Sequence, residues 1–271
     1  MKKSTNAQAW NEISDAYQNR YDISVDSYYY GPLCPNEDEL QLLGDIVGKS
    51  IIEVGAGAGQ NSIYLAKRGA LCTALDISQK QIEHGLKLAK DSGVEVEYIV
   101  ADFEELDSLP ELKNRHFDLA VSSYALQYAL SGDSLKKVFA DIAFLLKPGG
   151  QMVVSLDHPI RAHGWWNEAD QFVLDKYFDE SQKIWDYEFP EANTKSTMIG
   201  SFKTLADYIN AILSSGLELK KVLEPRPIQE DKHSNFGRKS RYGDNSKRDP
   251  FSFDHLSRVP GTIIFVASKP L

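Results

Sequence analysis

The sequence predicts an α/β fold built on a doubly wound, mostly parallel sheet. Three observations carry that expectation. From residue 51 onward, short runs rich in Ile and Val alternate with segments of helical period, the order expected of repeated βα units. Glycines stand where the helical patterns stop. A loop of alternating glycines joins the first apolar run to the first helical segment after it.

Residues 51–54 read as the first strand, and Gly55, Gly57 and Gly59 lead into a helix over 60–68 that Gly69 ends. Residues 71–75 form the second strand. Ser78 with Gln81 three residues on reads as a capping box, opening a helix whose Ile82, Leu86 and Ala89 share one face before Gly93 stops it. Strands three and four follow over 94–100 and 117–122. Asp133 begins a helix with the apolar stripe Leu135, Val138, Phe139, Ile142 and Leu145, and Pro148-Gly149-Gly150 breaks it before a fifth strand over 152–156. Thr204 caps a helix carrying Leu205, Ile209 and Ile212, and strands over 217–223 and 262–267 complete the order.

Two stretches, 157–200 and 224–260, are longer than ordinary connections in such a unit and read as insertions. The expected organisation is an N-terminal arm or lid over 1–39, a core over 40–156 and 201–271, an aromatic-rich substrate cap over 157–200, and a second insertion over 224–260. Trp165, Trp166, Phe172, Tyr177, Phe178, Trp185, Tyr187 and Phe189 crowd the first of these. They serve either as pocket walls or as packing onto the sheet.

The composition, 42% hydrophobic and 25% charged over 271 residues, is that of an ordinary globular chain. A net charge of -9 repels a phosphate backbone, and the basic cluster Arg238, Lys239, Arg241, Lys247 and Arg248 reads as a solvated loop, so a small-molecule substrate is expected rather than nucleic acid. Cys34 and Cys72 are too few for a disulfide framework and lack zinc-site spacing; no metal is expected. No run approaches the ~20 apolar residues of a membrane span, and the start lacks a signal-peptide pattern. The expectation is a cytoplasmic monomer or homodimer.

A loop between the first strand and helix of a doubly wound sheet lies on the ligand-binding edge. Gly55, Gly57 and Gly59 suit a tight turn pressed by a ligand, and Asp76 at the next strand end can accept both hydroxyls of a ribose. A dinucleotide fingerprint requires a glycine where Gln60 stands. The Glu53 carboxylate would repel pyrophosphate and attract an ammonium.

Glu53-x-Gly55-x-Gly57-x-Gly59 resembles motif I of the class I S-adenosylmethionine-dependent methyltransferases, and Asp76, followed by Ile77, resembles that family's ribose-binding acid. Ala101-Asp102-Phe103 is similar to the adenine-holding segment, residues 117–123 to the strand-four motif whose Ser122 end contacts the methionine portion, and Leu145-Leu146-Lys147-Pro148-Gly149-Gly150 to the stretch before strand five. The resemblance covers residues 40–156 best. It implies a Rossmann-like sheet of seven strands with the last antiparallel, S-adenosylmethionine as cofactor, and kinship with the small-molecule branch of ubiquinone and menaquinone C-methyltransferases. The alternatives are a nicotinamide-linked oxidoreductase and a non-catalytic cofactor-binding module.

A sulfonium favours aromatic faces, so Tyr21, Tyr28, Tyr29 and Tyr30 are candidates for a lid, Tyr21 and Tyr30 foremost, with apolar anchoring of the arm as the other reading. His158, just past the fifth strand, is the first candidate for a general base, against a structural role; His163 is the second. His84 and His116 lie away from the expected site, and His233 and His255 fall in the second insertion.

Overall fold

The computed structural model describes residues 3–229, 249 and 251–271; the basic cluster at 238–248 and His233 lie outside the described residues. Helices α1 (Lys3–Tyr21) and α2 (Glu37–Leu40) precede strand β1 (Ser50–Val54). There follow α3 (Gln60–Lys67), β2 (Leu71–Asp76), α4 (Gln79–Asp91), β3 (Glu97–Val100), β4 (Phe117–Ser123), α5 (Gly132–Leu145) and β5 (Leu146–Asp157). The first insertion contributes α6 (Pro159–His163) and two antiparallel hairpins, β6 (Gly164–Trp166) with β7 (Phe172–Leu174) and β8 (Gln182–Phe189) with β9 (Thr194–Ser201). The chain closes with α7 (Leu205–Ser214), β10 (Glu218–Leu223), α8 (Phe253–Arg258) and β11 (Thr262–Ser268).

The main sheet runs β10-β11-β5-β4-β1-β2-β3. All pairs are parallel except those made by β11, which is antiparallel to both β5 and β10. The two-residue period of a strand divides its side chains between two apolar layers. Ile51, Leu119, Val121 and Ile264 join Tyr64 and Leu65 on one face, while Ile52, Val54, Ala120 and Phe265 join Val138, Phe139 and Ile212 on the other. This double burial is why the strands read as continuous apolar runs. The strand order reverses between β1 and β4, so the crevice at their carboxyl ends is where a ligand fits.

Several boundaries differ from the sequence reading. β3 starts at Glu97 rather than 94. β5 starts at Leu146 and passes through Pro148-Gly149-Gly150, because Leu146 is already the C-cap of α5 and the register beside β4 shifts between Phe117 and Leu119. Gly149 absorbs the irregularity at φ +74. The Ser78 hydroxyl accepts the Gln81 N–H as a cap should, but the Gln81 amide turns to α1, where its Oε1 accepts from Gln18 at 2.6 Å. Thr204 and Asp207 make a complete, reciprocal capping box.

Helix α1 and the β8–β9 hairpin form one roof over the crevice. Asn6 pairs both ways with the Ile199 backbone, at 2.7 and 2.9 Å, and the Ser196 hydroxyl donates to Glu12 at 2.7 Å. Arg20 is ion-paired with Glu191 and lies over the Phe189 ring. Ala9, Ile13, Tyr21, Phe189 and Met198 fill the space between helix and hairpin.

The glycine loop is held from beneath by a tyrosine. A Cβ on Gly59 (φ +70) would come within 2.9 Å of the Tyr98 ring, and one on Gly85 in α4 would come within 2.6 Å of the Ala58 carbonyl and 2.7 Å of the same ring. Gly→Ala inside a helix ordinarily stabilises by roughly 0.5–1 kcal/mol, whereas overpacking costs about 1–3 kcal/mol. Because one of the obstructing atoms at Gly85 is backbone, Gly85→Ala is expected to destabilise by about 1–2 kcal/mol in urea unfolding; a stabilised variant would show that α4 and the loop are not in this contact.

Candidate functional site

The loop after β1 takes three left-handed residues, Gly55 (φ +71), Gly57 (φ +57) and Gly59 (φ +70), a conformation glycine adopts without strain. The N–H groups of Gly55 and Ala56 both donate to the Leu75 carbonyl at 2.8 Å, binding the loop to the end of β2. A Cβ at Gly55 would fall 2.2 Å from the Ala125 Cβ, while one at Gly57 would meet no atom within 4 Å. Gly55 and Gly59 are therefore glycines for packing, and Gly57 faces open space.

That space is a cavity with a floor of Glu53, Gly55, Gly57, Asp76, Ile77, Asp102 and Phe103 and a cover of Trp10, Tyr17, Gln18 and Tyr29. Asp76 accepts the Gly57 N–H at 2.8 Å and the Ser78 N–H at 2.9 Å, and burial still pushes its carboxyl from 3.8 up to about 6. Glu53 accepts the N–H and hydroxyl of Ser62 at 2.9 and 2.6 Å, and burial pushes it from 4.5 to about 7, with the Asp76 charge adding to the shift. Among the described residues no cation forms an ion pair with either carboxylate. Asp102 caps the turn that starts at Phe103, accepting the Glu104 N–H at 2.9 Å.

Two uncompensated, desolvated carboxylates in one cavity call for a ligand that brings positive charge and hydroxyl donors. Pyrophosphate is the wrong sign. S-adenosylmethionine fits: Asp76 would hold the ribose hydroxyls, Glu53 would face the amino-acid end, and Asp102 with Phe103 would flank the adenine.

Other expectations are corrected. Tyr21 is buried between Tyr17 and Phe189 in the roof and does not reach the cavity; Tyr17, one turn earlier, does. Tyr30 packs at a tilt against Tyr28 in the core below, its hydroxyl donating to Glu37 at 2.5 Å, and Tyr29 between them in sequence faces the cavity. Ser122 donates to the Val54 carbonyl at 2.7 Å, pointing away; strand alternation brings Ser123 to the cavity instead.

His158 does not line this cavity. Its side chain is fully buried, its Nδ1 accepts the Ile160 N–H at 3.2 Å as the N-cap of α6, and its Nε2 therefore carries the proton and donates to Glu224 at 2.9 Å. It is a structural cap. His163, bonded to the Pro159 carbonyl and packed on Tyr177 and Phe202, is structural too. His255 stacks on Trp166 at 4.0 Å and bonds to Asp170.

A second chamber adjoins the first. Trp10, Tyr17, Tyr29, Tyr124 and Tyr128 line both, and the second continues past Gln127, Trp185, Tyr187, Phe202, Tyr208 and Phe251. Its charged groups are Asp157, gripped by Arg161 through two bonds of 2.6 Å, and Lys203. The sequence could not join these residues, since α1, the end of β4 and the β8–β9 hairpin are distant along the chain.

A family model described as a methyltransferase domain matches residues 51–150, which span the glycine loop, Asp76, Asp102 and the Pro148-Gly149-Gly150 turn. These residues form a methyltransferase domain. A solved S-adenosylmethionine-dependent methyltransferase from Mesorhizobium loti is 25% identical, with a TM-score of 0.60 over 85% of this chain and 95% of that one. The ubiquinone biosynthesis O-methyltransferase of Rickettsia conorii is 27% identical over 45% of this chain and 39% of its own length, so this chain spans well under half of that relative. An uncharacterised protein of Haemophilus influenzae is 24% identical over 81% of this chain and 85% of its own length. No helix among the described residues of this methyltransferase is long and apolar enough to cross a membrane.

Burial raises both cavity carboxyls, so the stability they contribute is complete below a pH of about 4 and is lost as pH rises through about 6 to 7. A cationic ligand selects their charged forms. Calorimetry should therefore show S-adenosylmethionine binding more tightly at pH 7 than at pH 5, with protons released, and Asp76→Ala should weaken it roughly 10–100-fold. Affinity that falls over this range, or survives Asp76→Ala, would contradict the assignment.

Proposed function

We propose that this methyltransferase acts on a small-molecule acceptor held in the aromatic chamber, with His158 taking no part. The supporting observation is the shared wall: five aromatic residues border both the cofactor cavity and the chamber, so an acceptor in the chamber meets the cofactor cavity directly. S-adenosylmethionine, when bound, supplies an electrophilic methyl group on a sulfonium.

The chain's own residues position and desolvate. Trp10 packs edge-on against Tyr17 at 5.4 Å and Tyr128 at 5.6 Å, which sets an apolar aromatic surface where cavity and chamber meet. Aromatic faces there favour a sulfonium without offering it a nucleophile. Among the described residues no histidine lines the chamber, and the Asp157 carboxylate is engaged by Arg161, so the rate rests on alignment more than on proton transfer. The cap inserted between β5 and α7 suits a molecule small enough to be enclosed.

Transfer of a labelled methyl group from S-adenosylmethionine should appear in a small-molecule fraction when extracts are used as the acceptor source. His158→Asn, whose side chain can keep the cap on Ile160, should retain turnover within about threefold. Label confined to protein or nucleic acid would overturn the acceptor class, and an inactive but folded, cofactor-binding His158→Asn would restore the histidine.

A further inference from the structure

One side chain of α3 grips the backbone of a residue in the shared aromatic wall. Asn61, the second residue of α3, accepts the Tyr29 N–H on its Oδ1 at 2.7 Å and donates from its Nδ2 to the Tyr29 carbonyl at 3.1 Å. A single amide thus satisfies both backbone groups of Tyr29, the two-way pairing that a neighbouring strand would otherwise supply. The same Nδ2 donates to the Ser123 hydroxyl at 3.2 Å, which ties the grip to the end of β4. Asn61 is buried, and a buried amide bonded through both its oxygen and its nitrogen holds one orientation.

The grip matters because of what Tyr29 borders. Its neighbours Tyr28 and Tyr30 are anchored in the core with ring centroids 4.6 Å apart, and its own ring lies 6.4 Å from that of Tyr124. Tyr29 and Tyr124 both line the cofactor cavity and the acceptor chamber, whereas Asn61 lines the cofactor cavity alone of the two. The Asn61 amide also offsets part of the burial that raises the Glu53 carboxyl. One side chain therefore serves both the carboxylate floor and the aromatic wall.

We infer that Asn61 is a positioning residue for methyl transfer, fixing the Tyr29 backbone so that the ring stands against the sulfonium where the cavity meets the chamber. This rests on the cofactor lying with its sulfur at the shared wall. Asn61 acts on the sulfonium through the Tyr29 ring, whose face favours a cation. S-adenosylmethionine and S-adenosylhomocysteine differ only at that sulfur, by one methyl group and its positive charge. The ratio of their affinities therefore reports on the wall.

The test measures both affinities by calorimetry, at one pH, on the full native chain, Asn61→Ala, Tyr29→Leu and the double variant. Tyr29→Leu should lower the ratio of S-adenosylmethionine to S-adenosylhomocysteine affinity about 2–5-fold, and Asn61→Ala should lower it by a similar factor. The double variant should match Tyr29→Leu alone, because two residues that act through one ring are not additive. A purely structural role, or the lost contact with Glu53, would weaken both ligands alike and leave the ratio native. A native ratio in Asn61→Ala, a native ratio in Tyr29→Leu, or factors that multiply in the double variant would overturn the inference. If Asn61→Ala fails to fold, Asn61→Ser, too short to span both Tyr29 groups, decides by the same outcomes. Failure of the native chain to bind S-adenosylhomocysteine would instead remove the cofactor assignment, and this inference with it.

Discussion

The contact on which the rest of this site depends is the hydrogen bond from the Gly57 N–H to the Asp76 carboxylate. It ties the loop after β1 to the end of β2, across the pair whose register aligns Val54 with Leu75. Burying a carboxylate is unfavourable unless hydrogen bonds compensate it. Here the backbone donors of Gly57, Ile77 and Ser78 do so only in part, since the Asp76 carboxyl remains raised to about 6. The fold thus holds an acceptor that is oriented yet under-satisfied, and Glu53 repeats the arrangement one strand over. Binding of a positively charged nucleoside would relieve both.

Above that floor the roof has a different logic. Helix α1 lies against β9 through a two-way amide pairing at Asn6, an ion pair at Arg20 and a small apolar cluster. Its polar face reaches down through Gln18, which bridges Gln60 and Gln81 on the core helices. Hydrogen-bonded amides of this kind specify position without making the contact very strong, a property suited to a cover that a ligand must pass. The aromatic partition beneath the roof draws Trp10 and Tyr17 from the roof and Tyr29, Tyr124 and Tyr128 from the core, so the contacts that seat the roof also shape both chambers.

The sheet and the cavity floor were legible in the sequence for the same reason. Runs buried on both faces stand out as Ile and Val stretches, and a residue at the carboxyl end of such a run is already placed on the ligand edge. Glu53, Asp76 and Asp102 needed nothing more. Side-chain direction was harder to read. Tyr17 and Tyr21 share a helical face, and only the landing point of the β8–β9 hairpin decides that Tyr17 reaches the cavity while Tyr21 fills the roof. Ser122 and Ser123 differ by strand parity, which depends on where β4 ends and Tyr124 turns left-handed at φ +54. His158 occupies the right address at the end of β5, but Pro159 starts a helix there and the imidazole is consumed in capping it.

The central claim is that one cavity orients S-adenosylmethionine so that its sulfur faces the aromatic partition, and a crystal structure with S-adenosylhomocysteine tests it most directly. The account predicts ribose hydroxyls on Asp76, adenine beside Phe103, and the sulfur against the wall formed by Trp10, Tyr17, Tyr29, Tyr124 and Tyr128. A ligand with its sulfur turned to solvent, or with its ribose away from Asp76, would contradict it.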